Sequence, residues 1–263
     1  MKIDFAVIGG TGVYNPHLLT SIEDYGVKTP YGDVNLKIGQ LGQKPVAFLA
    51  RHGVKHSVPP HKINYRANIM ALKKLGVKKI IATAAVGSLN KIMAPGHLVL
   101  LNQFIDFTKG RVQTFYEGDE NGVLHIDMTN PYCTHLQQEI ERVCPLDITL
   151  HKNGCYVCTE GPRFETPAEI NMFKQWGGDL VGMTSVPEVV LARELGMCYA
   201  GIAMVTNYAA GISEHPLTHK EVVETMVQNT SNLQRLIMNT LEKIGHEQVC
   251  LCPLADEEAG NLV

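Results

Sequence analysis

Short apolar runs alternate with amphipathic stretches along most of the 263-residue chain. The runs are rich in Val, Ile and Ala and are apolar on both faces, which is typical of strands that helices cover on both sides of a sheet. They are Phe5 to Ile8, Val46 to Ala50, Ile80 to Ala84, Leu98 to Phe107, Leu180 to Met183 and Tyr199 to Thr206. This alternation predicts an α/β fold.

Three helices can be placed from their periodicity and their start signals. The stretch Ile63 to Leu75 puts its apolar residues on one stripe. Thr166 to Glu169 has the form of a capping box and predicts a helix that ends near Gly177. Thr218 to Glu221 repeats that form, and the helix it starts should run to about Gly245 and pack on the sheet.

Composition indicates one domain and excludes two classes of partner. No repeat, linker or shift in composition interrupts residues 1–245, and the tail 246–263 looks loosely held. Lys and Arg number 23 against 26 Asp and Glu, a net charge of −3, so neither nucleic acid nor anionic lipid is an expected partner. No run reaches the ~20 apolar residues that a membrane-spanning helix needs.

The cysteines and the N-terminus favour a cytoplasmic location. The first residues lack the basic segment, apolar core and cleavage site of a signal peptide. Seven cysteines, an odd count, fit reduced thiols better than a disulfide framework. Cys155 and Cys158 have redox CxxC spacing, and Cys250 and Cys252 form a CxC, but neither pair is at a predicted helix start where a thiolate would be stabilised.

Two groups of histidines raise the question of a metal site. His52, His56 and His61 lie close together in sequence, and His215 and His219 are four residues apart. No acidic residue accompanies the first group and the HExxH pattern is absent, so we expect no metal.

Candidate chemistry follows directly after four of the predicted strands. Ligands bind beyond the carboxyl ends of the strands in open α/β sheets, where this chain has Gly or polar residues. These are the turn from Gly9 to Gly12, Arg51 with His52 and Gly53, Thr184, and Asn207. Backbone N–H groups of a glycine turn and an Arg fork can bind an oxyanion together. Taken singly, the turn could merely close a strand and Arg51 could lie on the surface.

Nucleotide cofactors are not supported by the glycine turn. Asn15 occupies the place of the third glycine of the dinucleotide fingerprint, and no GK[ST] follows that would make a P-loop. Neither NAD nor ATP is therefore expected.

Six motifs in order along the chain carry a resemblance to a known family. They are GGTGVY at 9–14, RHG at 51–53, PPHKINYRANI at 59–69, TEGPRFET at 159–166, VGMTSVPEVVLARE at 181–194 and MVTNYAAG at 204–211. The chain resembles the trimeric purine nucleoside phosphorylase and methylthioadenosine phosphorylase family up to about residue 245. The resemblance implies a single domain with a central mixed, largely parallel twisted sheet flanked by helices.

The resemblance implies phosphorolysis of a purine nucleoside, with phosphate as co-substrate and without a metal or organic cofactor. By position, Met183 lies under the ribose, and the phosphate ligands are Thr11, Arg51, His52, the Ala85 backbone and Thr184. A phosphate dianion under the sugar would stabilise an oxocarbenium-like state and attack it, inverting the anomeric centre. Ala84 departs from the family pattern, in which Asn or Thr is frequent, so one phosphate hydrogen bond is in doubt.

The base is expected to be a 6-oxopurine. By the resemblance, members acting on 6-aminopurines carry two aspartates where this chain has Asn207 and Ala209, and members acting on 6-oxopurines match Asn207 and Glu165. An ionised Glu165 can accept from N1–H, and the Asn207 amide can donate to N7 and O6 as the base departs. Phe164, Tyr208 and Ala209 are further expected substrate-binding residues. Glu165 could instead only serve the helix start, and Asn207 only a turn.

His219 bears on the 5′ end of the sugar. By the resemblance, this position is apolar in enzymes that take a 5′-methylthio group and His in those that take a free hydroxyl. Inosine and guanosine, as in purine salvage, are therefore the expected substrates, although His219 could simply be exposed. Two alternatives stay open: a methylthioinosine or methylthioadenosine phosphorylase, and a nucleoside- or phosphate-binding protein that turns over weakly.

The family's assembly implies a neighbouring chain at the site. Its members are trimers or dimers of trimers in which a loop of the neighbour closes each sugar site. The stretch Phe115 to His125 is the candidate for that loop, and either of these two end residues is expected to reach across.

Overall fold

The computed structural model describes residues 3–9, 19–53, 57–118, 120, 122–213 and 219–255. The strands are β1 (Phe5–Gly9), β2 (Thr20–Thr29), β3 (Gly32–Leu41), β4 (Lys44–Ala50), β5 (Lys79–Ser88), β6 (Leu98–Phe107), β7 (Leu150–Thr159), β8 (Leu180–Gly182) and β9 (Cys198–Tyr208). The helices are α1 (Tyr65–Lys74), α2 (Thr134–Arg142), α3 (Pro167–Gln175), α4 (Ser185–Glu194) and α5 (His219–Lys243), with a short 3₁₀ turn at Pro60–Lys62.

The strands form one mixed sheet in the order β2-β3-β4-β1-β5-β8-β7-β6-β9, and β9 also pairs with β5. Strands β4, β1, β5 and β9 run parallel to one another, while β8 is antiparallel to β5 and β6 is antiparallel to β9. The carboxyl ends of the four parallel strands therefore meet at one edge of the sheet. The predicted single-domain α/β fold with a mixed sheet is confirmed.

Helices cover the sheet from both sides. One apolar cluster holds residues of α1 and α4, among them Leu72 and Val189, and a second holds residues of α2 and α5, among them Leu136 and Leu236. Because both faces are covered, the central strand β1 is buried at all five positions. Such strands are continuous apolar runs, which is why the sequence pattern located them.

The pattern of hydrophobic and polar positions did not predict the strands β2, β3 and β7 or the helices α2 and α4. The hairpin β2–β3 has an almost wholly exposed first strand, and the first half of β7 is polar, so neither presents a continuous apolar run. Helix α2 is short and was not singled out. Helix α4 is buried on nearly every side, including its charged residues Glu188 and Glu194, so it carries no polar face to reveal its period.

The helix boundaries agree with the local start and stop signals. Thr166 Oγ1 accepts from the Glu169 amide at 3.2 Å, and the Glu169 carboxylate accepts from the Thr166 amide at 2.7 Å, which completes the predicted capping box. Helix α3 ends before Gly177, which has a φ of +87°. Helix α5 ends at Lys243, near the predicted Gly245, whereas the Thr218 cap lies outside the described residues.

The first part of the C-terminal tail packs against the domain. His246 Nδ1 lies 2.6 Å from the Asp4 carboxylate, and the Gln248 amide donates to the carbonyls of Lys78 and Gly196 at 3.3 Å. The expectation of a loose tail is thus wrong for residues 246–255. Across the parts of the chain described here, no helix combines the length and the apolar character that crossing a bilayer requires.

Candidate active site

A cleft opens above the carboxyl end of the central strand β5. Residues 79–83 of this strand are buried, but Ala84 is half-buried and Ala85 is exposed, although β5 lies between two parallel neighbours. Exposed alanines in the middle of a sheet mean that no helix covers it there. The cleft lies where the parallel strands end, the position at which α/β sheets bind ligands.

Arg51 directly follows β4 and points into the interior rather than to the surface. It is 4% exposed. Its Nη1 donates to the Thr83 carbonyl at 2.9 Å, and its Nε and Nη2 donate to the two carboxylate oxygens of Glu188 at 2.6 and 2.5 Å. A guanidinium has five N–H groups, so two remain after these three bonds.

Glu188 is the buried counter-ion that keeps Arg51 charged. Burial by itself would lower the pKa of Arg51, but the Glu188 carboxylate outweighs it and raises that pKa above its usual value. Glu188 also accepts a hydrogen bond of 2.8 Å from the Tyr199 hydroxyl. Arg51 is thereby held in one orientation with its charge intact. The sequence analysis did not identify Glu188, and an acid within the apolar segment 185–192 was its only available signal.

Thr184 lies beside this ion pair. Its amide donates to the Tyr156 hydroxyl at 3.1 Å, and its side chain does not cap helix α4. One small cavity is lined by Arg51, Thr83, Ala84 and Thr184. The structure therefore brings the Arg51, Ala84 and Thr184 positions, from three different elements, around one space.

His52 lies next to Arg51, and its ring orientation is set by the backbone. Its Nδ1 is 2.8 Å from the Val58 carbonyl oxygen, and the Val58 amide donates back to the His52 carbonyl at 3.0 Å. Because a carbonyl only accepts, Nδ1 carries the proton. The neutral ring then presents Nε2 as an acceptor, so donation from this ring to an anion requires the imidazolium. Thr11 lies outside the described residues.

Asn207 is buried near the end of β9, at an irregularity in the sheet. The pairing of β5 with β9 shifts between Val86 and Gly87, which leaves Thr206 unpaired as a bulge and brings Asn207 opposite Gly87. The Thr206 hydroxyl is 2.7 Å from Asn207 Oδ1, and Asn207 Nδ2 donates to the Tyr208 carbonyl at 2.9 Å. The amide is thus oriented, with a second N–H on Nδ2 that this bond does not use.

Glu165 lies in the loop between β7 and α3. The Thr159 hydroxyl donates to Glu165 Oε1 at 2.6 Å and lies 3.3 Å from the Gly182 carbonyl. Burial raises the pKa of Glu165, and the bond from Thr159 opposes that shift. Gly182 belongs to β8, whose Val181 pairs with Gly87, the residue opposite Asn207. Through Thr159, Glu165 is linked to β8, which pairs with β5, and β5 pairs with the strand that carries Asn207. The two strands β8 and β5 therefore lie between the positions of Glu165 and Asn207.

The loop that carries Glu165 packs on Met183. Gly161 has a φ of +67°, and a Cβ at this position would lie 2.6 Å from Met183 Sδ, so both the backbone conformation and this contact favour glycine. Phe164 is 45% exposed, so an apolar ring near the cleft faces solvent in the isolated chain.

Tyr208 and Ala209 follow Asn207 on the same strand end. The Tyr208 hydroxyl is 3.3 Å from the Lys91 carbonyl. Successive strand side chains face opposite sides, so Tyr208 and Asn207 cannot both direct their side chains into the cleft. Ala209 is buried in a small apolar cluster with Val181.

Arg111 ties the two loops of the cleft together and was missed by the sequence analysis. Its Nη1 donates to the carbonyls of Met183 and Val186, both at 2.7 Å, and its Nη2 donates to those of Thr159 and Glu160 at 3.1 and 2.9 Å. One guanidinium thus joins the segment before Glu165 to the segment around Thr184. A single Arg in a coil region gives no sequence signal of this kind.

Two predicted site residues differ in their accessibility. Phe115 is 5% exposed, its ring packs on Tyr31 of its own chain at 5.3 Å, and its amide donates to Glu194. His125 is exposed. Phe115 would have to leave this packing to reach a neighbour, so His125 is the remaining candidate. His219 begins α5, but its side chain is not among those described.

Comparisons with known proteins identify the family of the chain. The family model described as Phosphorylase superfamily matches residues 4–242. A probable 6-oxopurine nucleoside phosphorylase of Moorella thermoacetica is 57% identical over 95% of this chain and 96% of its own. The 6-oxopurine nucleoside phosphorylase of Pyrococcus furiosus is 53% identical over 94% of this chain and 95% of its own.

A solved structure shows the same fold over the whole chain. It is the methylthioadenosine phosphorylase from Schistosoma mansoni in complex with adenine, with a TM-score of 0.90, 35% identity, and coverage of 100% of this chain and 98% of that one. Fold, motif order and family model therefore agree, and the chain belongs to the phosphorylase superfamily.

Proposed function

We propose that this protein is a pentosyltransferase that cleaves 6-oxopurine nucleosides, inosine and guanosine, with inorganic phosphate to give the free base and ribose 1-phosphate. The observation that carries the substrate class is the oriented amide of Asn207. With Oδ1 beside the Thr206 hydroxyl and one N–H on the Tyr208 carbonyl, the second N–H on Nδ2 is the group that would meet N7 and O6.

Glu165 completes the reading of the base. Its Oε1 is occupied by Thr159, so Oε2 is the acceptor for N1–H of a 6-oxopurine. Adenosine presents an acceptor at N1 and a donor at C6, which reverses both contacts. Buried partners left unpaired cost about 1–3 kcal/mol each, which suffices for discrimination between the two bases.

Phosphate is proposed to bind between Arg51, Thr184 and the Ala85 backbone, with Thr11 and His52 beside it. The two bonds to Glu188 and the bond to the Thr83 carbonyl leave two guanidinium N–H groups of Arg51 for the anion. Met183 would lie under the ribose, between this anion and the base. No side chain at position 84 can add a hydrogen bond, because it is Ala.

The mechanism follows from this placement. As the glycosidic bond breaks, positive charge develops on the sugar and negative charge on the purine. The phosphate dianion stabilises the positive charge on the sugar, and the Asn207 amide stabilises the negative charge on the purine. Attack comes from the face opposite the base, which inverts the anomeric carbon without a covalent enzyme intermediate.

The surroundings of the site are part of the proposal. His219 would exchange a hydrogen bond with the 5′-hydroxyl, and Phe164, Ala209 and the backbone of Tyr208 would line the base. A homotrimer, or a dimer of trimers, would bring His125 of a neighbour to the sugar. The protein is proposed to work in cytoplasmic purine salvage without a metal or organic cofactor in the reaction.

A substrate panel tests the proposal. Base release is measured from inosine, guanosine, adenosine, methylthioadenosine and methylthioinosine, each with and without phosphate. We expect phosphate-dependent release that is fastest with inosine or guanosine. Fastest release from methylthioadenosine or adenosine would refute the role of Asn207 and favour the activity that the Schistosoma mansoni structure is named for. Binding without release would indicate a nucleoside-binding protein.

A further inference from the structure

Four cysteine side chains from three distant parts of the chain meet at the base of the C-terminal tail. They are Cys133 before α2, Cys198 at the start of β9, and Cys250 and Cys252 in the tail. All four Sγ atoms lie within 4.8 Å of one another, and three of the four residues are buried. This cluster is at the amino end of β9, opposite the end that carries Asn207.

The spacing of the sulfur atoms fits a tetrahedral metal site. Four thiolates around Zn²⁺ at about 2.3 Å place their sulfurs about 3.8 Å apart. The Sγ atoms of Cys198 and Cys250 are 3.3 Å apart, and all pairs stay within 4.8 Å. A disulfide needs a sulfur separation of about 2.0 Å, and it joins sulfurs in pairs rather than in a set of four. We propose that these four cysteines bind one Zn²⁺ ion.

Two N–H groups next to the cluster donate hydrogen bonds to its sulfur atoms. The backbone N–H of Leu136 donates to Cys133 Sγ, and the side-chain amide of Gln248 donates to Cys198 Sγ, both at 3.5 Å. Such N–H···S bonds orient and stabilise metal-bound thiolates.

A buried lysine balances part of the charge. Zn²⁺ with four thiolates carries a net charge of −2, and Lys79, which is 2% exposed, is the register partner of Cys198 on the adjacent strand. Its Nζ donates to the carbonyls of Gly245 and Glu247 in the tail, both at 2.5 Å. Lys79 thus pairs with the start of β9 and holds the chain segment that leads into the cluster.

The cluster also explains why the tail stays in place. In Val249 to Cys252 the apolar side chains of Val249 and Leu251 are 63% and 76% exposed, whereas Cys252 is 3% exposed. The tail therefore turns its small thiols inward and its larger apolar groups to solvent. Zinc would replace the four thiol protons, which pass to solvent, and would fasten the tail to α2 and β9. The role is structural and independent of the proposed function.

Metal content of the full-length chain tests the proposal. The protein is purified in reducing buffer without chelator, incubated with Zn²⁺, desalted and assayed for zinc. We expect about one ion per chain, released when a mercurial reagent blocks the thiols, and an X-ray absorption edge fitted by four sulfurs at about 2.3 Å. The double variant C250S/C252S should lose the zinc, and C144S, which removes a thiol outside the cluster, should retain it.

Two measurements on the unmodified chain keep the test independent of how the variants fold. Co²⁺ in place of Zn²⁺ should produce thiolate-to-metal charge-transfer absorption and the visible bands of a tetrahedral site. Alkylation of freshly denatured, unreduced protein should modify all seven cysteines. Absence of stoichiometric metal, equal binding by C250S/C252S, or disulfides among the four cysteines would overturn the proposal. None of these outcomes depends on which nucleoside the enzyme cleaves.

Discussion

The carboxylate of Glu188 holds the Arg51 guanidinium through two parallel hydrogen bonds of 2.6 and 2.5 Å, with both side chains at most 2% exposed. This fork-to-fork arrangement fixes the plane of the guanidinium as well as its charge. Glu188 belongs to α4, the helix that directly follows Thr184, so one buried element positions two of the proposed phosphate ligands. A residue that need not touch phosphate would thus set the orientation of Arg51, a proposed phosphate ligand.

Replacing Glu188 by Gln should reduce stability and weaken phosphate binding. It leaves the buried Arg51 charge uncompensated, and breaking one partner of a buried pair costs about 3–5 kcal/mol of unfolding free energy. Urea unfolding and the KM for phosphate measure the two effects. Asp147→Asn is the matched control, because its ion pair with Arg235 is exposed to solvent, where such a pair contributes little to stability. Equal effects of the two substitutions would contradict the assigned role of the buried pair.

Replacing Asn207 by Asp should change which base is preferred. The variant exchanges the N–H donor for an acceptor at nearly constant shape, and losing a comparable donor lowers kcat by about 10²–10³. The kcat/KM for inosine should fall, and the ratio of adenosine to inosine turnover should rise. Asn35→Asp, at an exposed position of β3, controls for the added charge. An unchanged ratio in Asn207→Asp would remove Asn207 from base recognition.

Turnover of inosine should decline at acid pH because of Glu165. Burial raises the pKa of this carboxyl, so protonation begins at a higher pH than for an exposed Glu. Below that pKa the neutral acid no longer offers a full acceptor to N1–H, so kcat/KM falls as pH is lowered through it. The pH profile of Glu165→Gln should lack this limb and lie lower throughout. A limb retained in the variant would assign the titration to another group.

Replacing Gly161 by Ala should disturb the sugar site more than an equivalent change elsewhere. Both Gly161 and Gly42 have positive φ, and adding a Cβ in this conformation costs about 1–2 kcal/mol. At Gly161 the new Cβ also meets Met183 Sδ, at 2.6 Å, whereas at Gly42, in the turn between β3 and β4, nothing lies within 4 Å. The KM for nucleoside should therefore rise in Gly161→Ala and stay constant in Gly42→Ala. Similar KM values in both would show that Met183 is not at the sugar.

Helix-capping and hydrophobic-periodicity rules, which consider only residues close together in the sequence, predicted one group of the elements correctly. The capping box of Thr166 and Glu169 formed as predicted, and the central strands of the sheet were identified because burial on both faces makes them apolar runs. Edge strand β2, which is mostly exposed, and helix α4, which is almost wholly buried, lack the periodicity that such rules need.

The sequence by itself determined the fold class, the family motifs and the residue types available for chemistry: Arg51, Thr184, Glu165 and Asn207. Only the tertiary structure decided their partners. Glu188 is 137 positions from Arg51, Arg111 reaches carbonyls up to 75 positions away, and the cysteine cluster joins Cys133 to the tail. Contacts between residues so far apart in the chain depend on how the sheet brings its strands together, and no local pattern of hydrophobic and polar positions encodes that pairing.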